Sequence, residues 1–175
     1  TALLLCILCM LILSSVSEDS DAKASEKFTV DHIKYEITAE DTVNEVQVIG
    51  YEGSVTEYNG VSTVPYNDKT YVVTSIGKYA FENCTSLTSV NMPDSLRSIG
   101  KGAFERCSSL ISVTFPKGLT NLGSYAFKEC TSLNAVSIPG SVKTVSKHAF
   151  QHCYSMTSVT IGEGVKKLGY RAFFN

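Results

Sequence analysis

Residues 87–107 read Leu87-Thr88-Ser89-Val90-Asn91-Met92-Pro93-Asp94-Ser95-Leu96-Arg97-Ser98-Ile99-Gly100-Lys101-Gly102-Ala103-Phe104-Glu105-Arg106-Cys107, and the pattern returns every 23 residues. The pair Ala-Phe stands at 80–81, 103–104, 126–127, 149–150 and 172–173 without a slip. Cysteine keeps step at 84, 107, 130 and 153, followed by Leu87, Leu110, Leu133 and Met156 and then by Val90, Val113, Val136 and Val159. Met92, Phe115, Ile138 and Ile161 come next, ahead of Pro93, Pro116, Pro139 and Gly162. A fixed period of this length means a solenoid, in which a unit too small to bury its own apolar side chains stacks on its neighbours.

The spacing also describes one coil. Leu87-x-x-Val90-x-Met92 ends in the alternation of a strand, and the proline after it stops the ladder. Leu96-x-x-Ile99-Gly100 carries the chain back along the far side, where Gly100 and its counterparts are expected to supply backbone freedom for a bend. Gly-x-x-Ala-Phe-x-x-Cys suits a short helical turn with Phe in the interior. The expected fold is a repeat solenoid of parallel strands and short helical turns, with a small N-terminal β cap.

These residues resemble the 23-residue leucine-rich repeat of the BspA-like surface proteins of bacteria and parasitic protists. The likeness is strong over 74–175. Segment 28–73 is similar to that family's N-terminal cap through Val30–Ile37 and Tyr66–Gly77. Gly162 for proline, Ser146 for glycine and Met156 for leucine are the departures. The resemblance implies a curved solenoid, export, and a binding or adhesive role without catalytic residues.

The cap can be read without the family. Phe28 and Val30 alternate against Ile33, Tyr35 and Ile37 across Asp31-His32, as in a hairpin. Val64 and Tyr66 face Tyr71 and Val73 across Asn67-Asp68, which tolerate a tight turn. Such hairpins cover the open end of a solenoid core. At the other end the sequence closes on Arg171-Ala172-Phe173-Phe174-Asn175, in mid-repeat, so the natural protein is expected to continue and this end to expose apolar surface.

Ahead of the cap, residues 2–13 form an unbroken apolar run, too short for a span of about 20 residues and suited to a secretory signal. Small residues at Ser15 and Ser17, three and one positions before Glu18, suit a signal peptidase, so 1–17 reads as a signal peptide truncated at its start, because Thr1 stands where a methionine and a charged region belong. A buried core helix or an uncleaved anchor are the other readings of the run. Cys6 and Cys9 would leave with the leader. Residues 18–27 read as a flexible linker, and the mature part holds no transmembrane segment.

The chain has 175 residues, 15 Lys+Arg against 17 Asp+Glu, and is 18% charged and 43% hydrophobic. That composition excludes a wholly disordered protein. A net charge of −2 argues against nucleic acid as a default partner.

Each candidate for chemistry has a plainer alternative. Cys84, Cys107, Cys130 and Cys153 form one column. Export would permit disulfides, and stacked turns approach the ~4.4–6.8 Å bridging range between Cα atoms. Parallel Cβ vectors oppose a bridge, and the spacing lacks the close pairs of a zinc site. Small buried thiols are favoured over pairwise disulfides, and both over metal. His148 and His152 stand four apart, as a helical metal site would need. Their counterparts, Tyr79, Gly102 and Tyr125 for one and Asn83, Arg106 and Glu129 for the other, mark outward positions, and His32 lies in a turn. Asn83-Cys84-Thr85 is an N-glycosylation acceptor if the source is eukaryotic.

The candidate binding face is the strand side: Thr88, Ser89, Asn91; Ile111, Ser112, Thr114; Asn134, Ala135, Ser137; and Thr157, Ser158, Thr160. These uncharged positions suit hydrogen bonding to protein or glycan, or serve simply as solvated strand residues. Arg97, Lys101, Glu105, Arg106, Lys143 and Lys147 fall on the return and turn sides, and their mixed signs read as a solvated surface. No nucleophile with its base, phosphate-cradling loop or paired carboxylates emerges, so neither an enzyme nor a cofactor is expected. The reading is a secreted or cell-surface protein that binds a protein or glycoprotein on host cells or matrix. The alternative is a spacer displaying a further C-terminal domain.

Overall fold

The computed structural model describes residues 25–39 and 43–175; the leader and linker readings therefore lie outside the described residues, apart from Ser25–Lys27. Fourteen strands follow in chain order: β1 (Lys27–Val30), β2 (Ile33–Ala39), β3 (Glu45–Tyr51), β4 (Glu57–Asn59), β5 (Thr63–Tyr66), β6 (Lys69–Ile76), β7 (Ser89–Asn91), β8 (Ser98–Ile99), β9 (Ser112–Thr114), β10 (Asn121–Leu122), β11 (Ala135–Ile138), β12 (Thr144–Val145), β13 (Ser158–Ile161) and β14 (Lys167–Leu168).

The antiparallel part is the cap. β1 pairs β2 with Phe28 opposite Tyr35, and β5 pairs β6 with Val64 opposite Tyr71. Both two-residue turns lie in the left-handed region, Asp31 and His32 at φ 47 and 66, Asn67 and Asp68 at φ 46 and 59. That geometry matches the strand twist of a tight hairpin. Phe28 stacks on Tyr66 at 4.0 Å and on Tyr35 at 5.5 Å, sealing this end of the core with aromatic rings.

β3 pairs β2 antiparallel on one edge and β6 parallel on the other, and apart from the β5–β6 hairpin the pairing from there onward is parallel. β3-β6-β8-β10-β12-β14 run side by side along the return side, with Ile76, Ile99, Leu122 and Val145 in register and turned inward. The strand side is made by β4-β7-β9 and by β11-β13. The backbone link between these two groups is Asn134 N donating to Ile111 O at 3.2 Å. Alternation puts Tyr58, Val90 and Val136 inside.

The third side corrects the expectation of short helical turns: no helix occurs among the described residues. The Ala-Phe segments are chains of turns instead. Within one turn Cys107 N donates to Phe104 O at 3.3 Å, while Gly102, Phe104 and Arg106 N donate to Ser124, Ala126 and Lys128 O of the next coil at 2.8–3.0 Å. Neighbouring coils repeat these bonds, so this side too is a ladder. It forces φ between 52 and 63 at Tyr79, Gly102, Tyr125, His148 and Arg171, and between 58 and 62 at Asn83, Arg106, Glu129 and His152.

The role expected of Gly100 changes accordingly. Neither Gly100 nor Gly123 has positive φ; a Cβ on Gly123 would stand 2.5 Å from the carbonyl carbon of Gly100. The constraint is close approach of successive backbones, and the left-handed bend falls two residues later.

Inside, Phe81, Phe104, Phe127, Phe150 and Phe173 stack with centroids 5.0–5.3 Å apart and planes within 9°. The column begins at Tyr51, 5.6 Å from Phe81. Residues 45–59 therefore form a further coil, with Val48 in register with Ile76 and Tyr58 with Val90. On the last coil Val159, Ile161 and Leu168 are exposed.

Candidate functional site

The strand side brings the twelve candidate residues together. Ser89 pairs with Ser112 and Asn91 with Thr114, while Ala135 pairs with Ser158 and Ser137 with Thr160. Thr88 and Ser89 are half-buried and the other ten are exposed. Two hydroxyls are already engaged with backbone: Thr88 Oγ1 donates to Thr56 O at 2.9 Å, and Thr157 Oγ1 to Asn134 O at 3.4 Å. Ile111, half exposed, puts one apolar side chain among hydroxyls and amides. Two ladders of parallel strands, joined by the Asn134–Ile111 backbone bond, hold the strand residues of each group at the ~4.8 Å strand spacing, with Thr88, Ile111, Asn134 and Thr157 just ahead of them.

This side is longer, and less uniformly neutral, than the sequence implied. β4 adds Glu57 beside Ser89 and Asn59 beside Asn91, so the cap end carries a carboxylate. The 23-residue period cannot find β4, because Tyr58 and Val90 are 32 residues apart.

The cysteine column is buried, and all four thiols are free. Cys107, Cys130 and Cys153 Sγ donate to the carbonyls of Phe81, Phe104 and Phe127 in the preceding coil at 3.1–3.2 Å. Cys84 reaches Val55 O at 3.6 Å. Burial pushes the Cys153 thiol up to about 12, and burial followed by the neighbouring thiols raises Cys130 well above the ordinary value. Thiols held as neutral donors are poor nucleophiles.

His148 and His152 do not share a helical face, since each occupies its own left-handed corner. The His148 ring stacks on Tyr125 at 4.9 Å, and its Nδ1 is buried without a partner. His152 Nδ1 lies 3.1 Å from Tyr154 Oη. Among the described residues no cluster of three or more His, Cys, Asp or Glu could hold a metal ion. Asn83 is exposed beside exposed Thr85, in an open groove of about 450 Å³ that runs past Arg106, Glu129 and His152.

The charges expected to mix are in fact sorted. On the corner side they pair: Lys128 with Glu105 at 3.0 Å and Glu129 at 2.9 Å, and Arg106 with Glu129 at 3.1 Å. The hydrogen bond from Lys128, with Arg106 adding to it, holds the Glu129 carboxyl below its ordinary range. Arg97, Lys101, Lys143 and Lys147 stand on the return side and form no ion pair with a carboxylate among the described residues.

A second concavity of about 390 Å³ lies in the cap, between the Asp31-His32 tip and residues 54–61, over Tyr35, Tyr58 and Val64. Burial and then the Asp31 charge push the Tyr35 phenol up to about 12. No helix among the described residues is long and apolar enough to cross a membrane.

Coils of one length, stacked by parallel ladders around columns of Leu, Val, Ile and Phe, define a leucine-rich-repeat solenoid. The model of the BspA type leucine rich repeat region matches residues 66–175 in six copies, and the chain belongs to that family. Among solved structures it is similar to a leucine rich cell surface protein from Faecalibacterium prausnitzii, with 26% identity and TM-score 0.67 over 87% of this chain and 47% of that one. A leucine-rich repeat protein from Bacteroides ovatus shows 28% identity and TM-score 0.66 over 82% of this chain and 43% of that one. Another, from Bacteroides capillosus, shows 27% identity and TM-score 0.63 over 77% of this chain and 97% of that one. The chain thus spans about half the length of the first two. No curated protein matches it.

Proposed function

We propose that this is an exported surface protein whose solenoid binds a protein or glycoprotein ligand on host cells or matrix through its strand side, without catalysis. The observation that carries the reading is the ladder-held array from Thr88 to Thr160, exposed at ten of twelve positions and built of short hydrogen-bonding groups. Rigid spacing lowers the ordering cost of binding, and unpaired hydroxyls and amides accept either peptide or sugar partners. Membership of a family with a cell-surface relative supports the location.

The test is the triple variant Ser89→Glu, Ser112→Glu and Ser137→Glu, compared with the parent for adhesion to cells and to immobilised matrix proteins. Three added carboxylates on this side, one of them beside Glu57, should cut binding by at least about tenfold, since like or unpaired charge at an interface costs several kcal/mol. Undiminished binding would refute this reading and leave the spacer role.

A further inference from the structure

The near-neutral total conceals two oppositely charged parts. Residues 1–68 carry twelve carboxylates and three lysines, while residues 69–175 carry twelve Lys and Arg and five carboxylates. Folding sharpens the division. Within the solenoid, Glu105 and Glu129 are consumed on the corner side by Lys128 and Arg106. Seven of the ten remaining cations of residues 69–175 gather on the return side, opposite the proposed ligand-binding ladder.

Arg97, Lys143 and Lys166 form one column just ahead of the return strands, and Lys167 stands beside Lys166 on β14. Lys101 and Lys147 form a second column just past the strands, and Lys117 lies ahead of the first. All seven are exposed. Where their head groups have partners, these are neutral: Arg97 donates to Asp94 O and Leu96 O at 2.6 and 3.1 Å, Lys143 to Gly140 O at 3.1 Å, and Lys101 sits 5.7 and 5.8 Å from the Tyr79 and Tyr125 ring centroids. None of the seven forms an ion pair with a carboxylate among the described residues; Glu105 acts on Lys101 only through space, and Asp94 and Glu163 share the column of Lys117, so the side is cationic in excess. In the two columns that run through the return strands, the positions not taken by cations hold Ser98, Thr120, Asn121 and Thr144. They supply hydroxyls and an amide, and no aromatic ring.

We propose that the return side binds a sulfated polysaccharide chain lying along the solenoid axis. Rows of cations that repeat at the coil spacing suit a linear polyanion, which gains by releasing its condensed counterions. Short polar groups between the cations suit sugar hydroxyls. The columns through the strands carry no ring, but Tyr79 and Tyr125 flank Lys101 and exposed Tyr170 follows Lys147 in the second column, so single-stranded nucleic acid, which depends on such stacking platforms, is a competitor that the test must include. A lipid surface would need an apolar face to enter it, and the columns from Arg97 to Thr144 present none. This surface is separate from the strand side, so a ligand on one leaves the other free.

The probe is heparin, titrated against the full chain at several salt concentrations. Two variants of equal net charge are compared: Lys143→Gln/Lys147→Gln/Lys166→Gln/Lys167→Gln on the return side, and Ser89→Glu/Ser112→Glu/Ser137→Glu/Thr160→Glu on the strand side. Binding should fall linearly with the logarithm of salt, and the glutamine variant should lose at least about tenfold and flatten that slope. The glutamate variant should lose under about threefold, and circular dichroism should show both folded. The single variant Arg97→Gln should flatten the slope by about one contact.

Equal losses in the two quadruple variants would reduce the effect to net charge and overturn the proposal. Equal binding of de-N-sulfated, desulfated heparin would overturn it too. So would tighter binding of single-stranded DNA, duplex DNA or phosphatidylserine vesicles than of heparin in direct competition. Salt-sensitive self-association in sedimentation, abolished by the glutamine variant, would instead assign the cations to the acidic cap of a second copy.

Discussion

Truncating one ring of the phenylalanine column tests whether the molecule is a one-dimensional stack. Phe127 is fully buried, stacked on Phe104 at 5.0 Å and Phe150 at 5.3 Å, with Phe115 edge-on at 5.6 Å. Removing a buried Phe costs about 3–5 kcal/mol. Loss of two stacked neighbours, each worth about 0.5–1.5 kcal/mol beyond burial, places Phe127→Ala near the top of that range. Phe173 is half-buried and stacks on Phe150 alone, so Phe173→Ala should cost about 1–2 kcal/mol. Against a total of about 5–15 kcal/mol, the central change should uncouple the two ends. Urea unfolding followed by circular dichroism gives the difference, and hydrogen exchange locates it: amides of β6 and β8 should keep protection while those of β12 and β14 lose it. A Phe127→Ala variant no less stable than Phe173→Ala would refute nearest-neighbour stacking as the source of stability.

Three other predictions rest on the cysteine column, the corners and the ion pairs. Cys130→Ser should remain folded, because a hydroxyl can donate to Phe104 O as the thiol does, whereas Cys130→Val should lose about 1–3 kcal/mol to overpacking and the missing donor; thermal melts compare them. Arg106→Val should cost about 1–2 kcal/mol because a branched side chain resists positive φ, while Arg106→Gly should be close to neutral; urea midpoints decide. Stability should fall at both ends of the pH scale, as read by thermal melts across pH. The lowered Glu129 carboxyl contributes above the ordinary value of about 4.3 and is lost as pH falls through its folded value; the raised Cys153 thiol contributes below about 8.5 and is lost as pH climbs toward 12. Glu129→Gln should flatten the acid limb, and an unchanged limb would remove the corner pairs from the account.

The interior was legible because a strict period prints each inward position several times. Leu87 and Leu110 need no structure to be placed. The coil at residues 45–59 was hidden because the β5–β6 hairpin lengthens the connection, putting Tyr51 30 residues before Phe81 rather than one period. The corners were misread as helical because Ala-Phe and Cys at three-residue spacing fit one helical turn equally well. Only the bonds between coils distinguish the two, and of their left-handed positions only Asn83 and Gly102 carry residues that advertise such a bend. The strand side was legible as a set of outward positions, but not its extension onto β4. The sidedness of charge escaped because a net value sums over sides that never meet: Lys143 and Glu105 count as opposite signs in a composition, yet one stands on the return strands and the other at the corner.

Because all three sides bond coil to coil, almost every link between neighbouring coils points along the solenoid axis. Tension applied along that axis therefore loads few bonds at a time, and coils should peel off one by one like a zip. Each detached coil of 23 residues releases about 80 Å of slack chain. A tethered molecule built this way would lengthen under drag in steps while its remaining coils kept their shape.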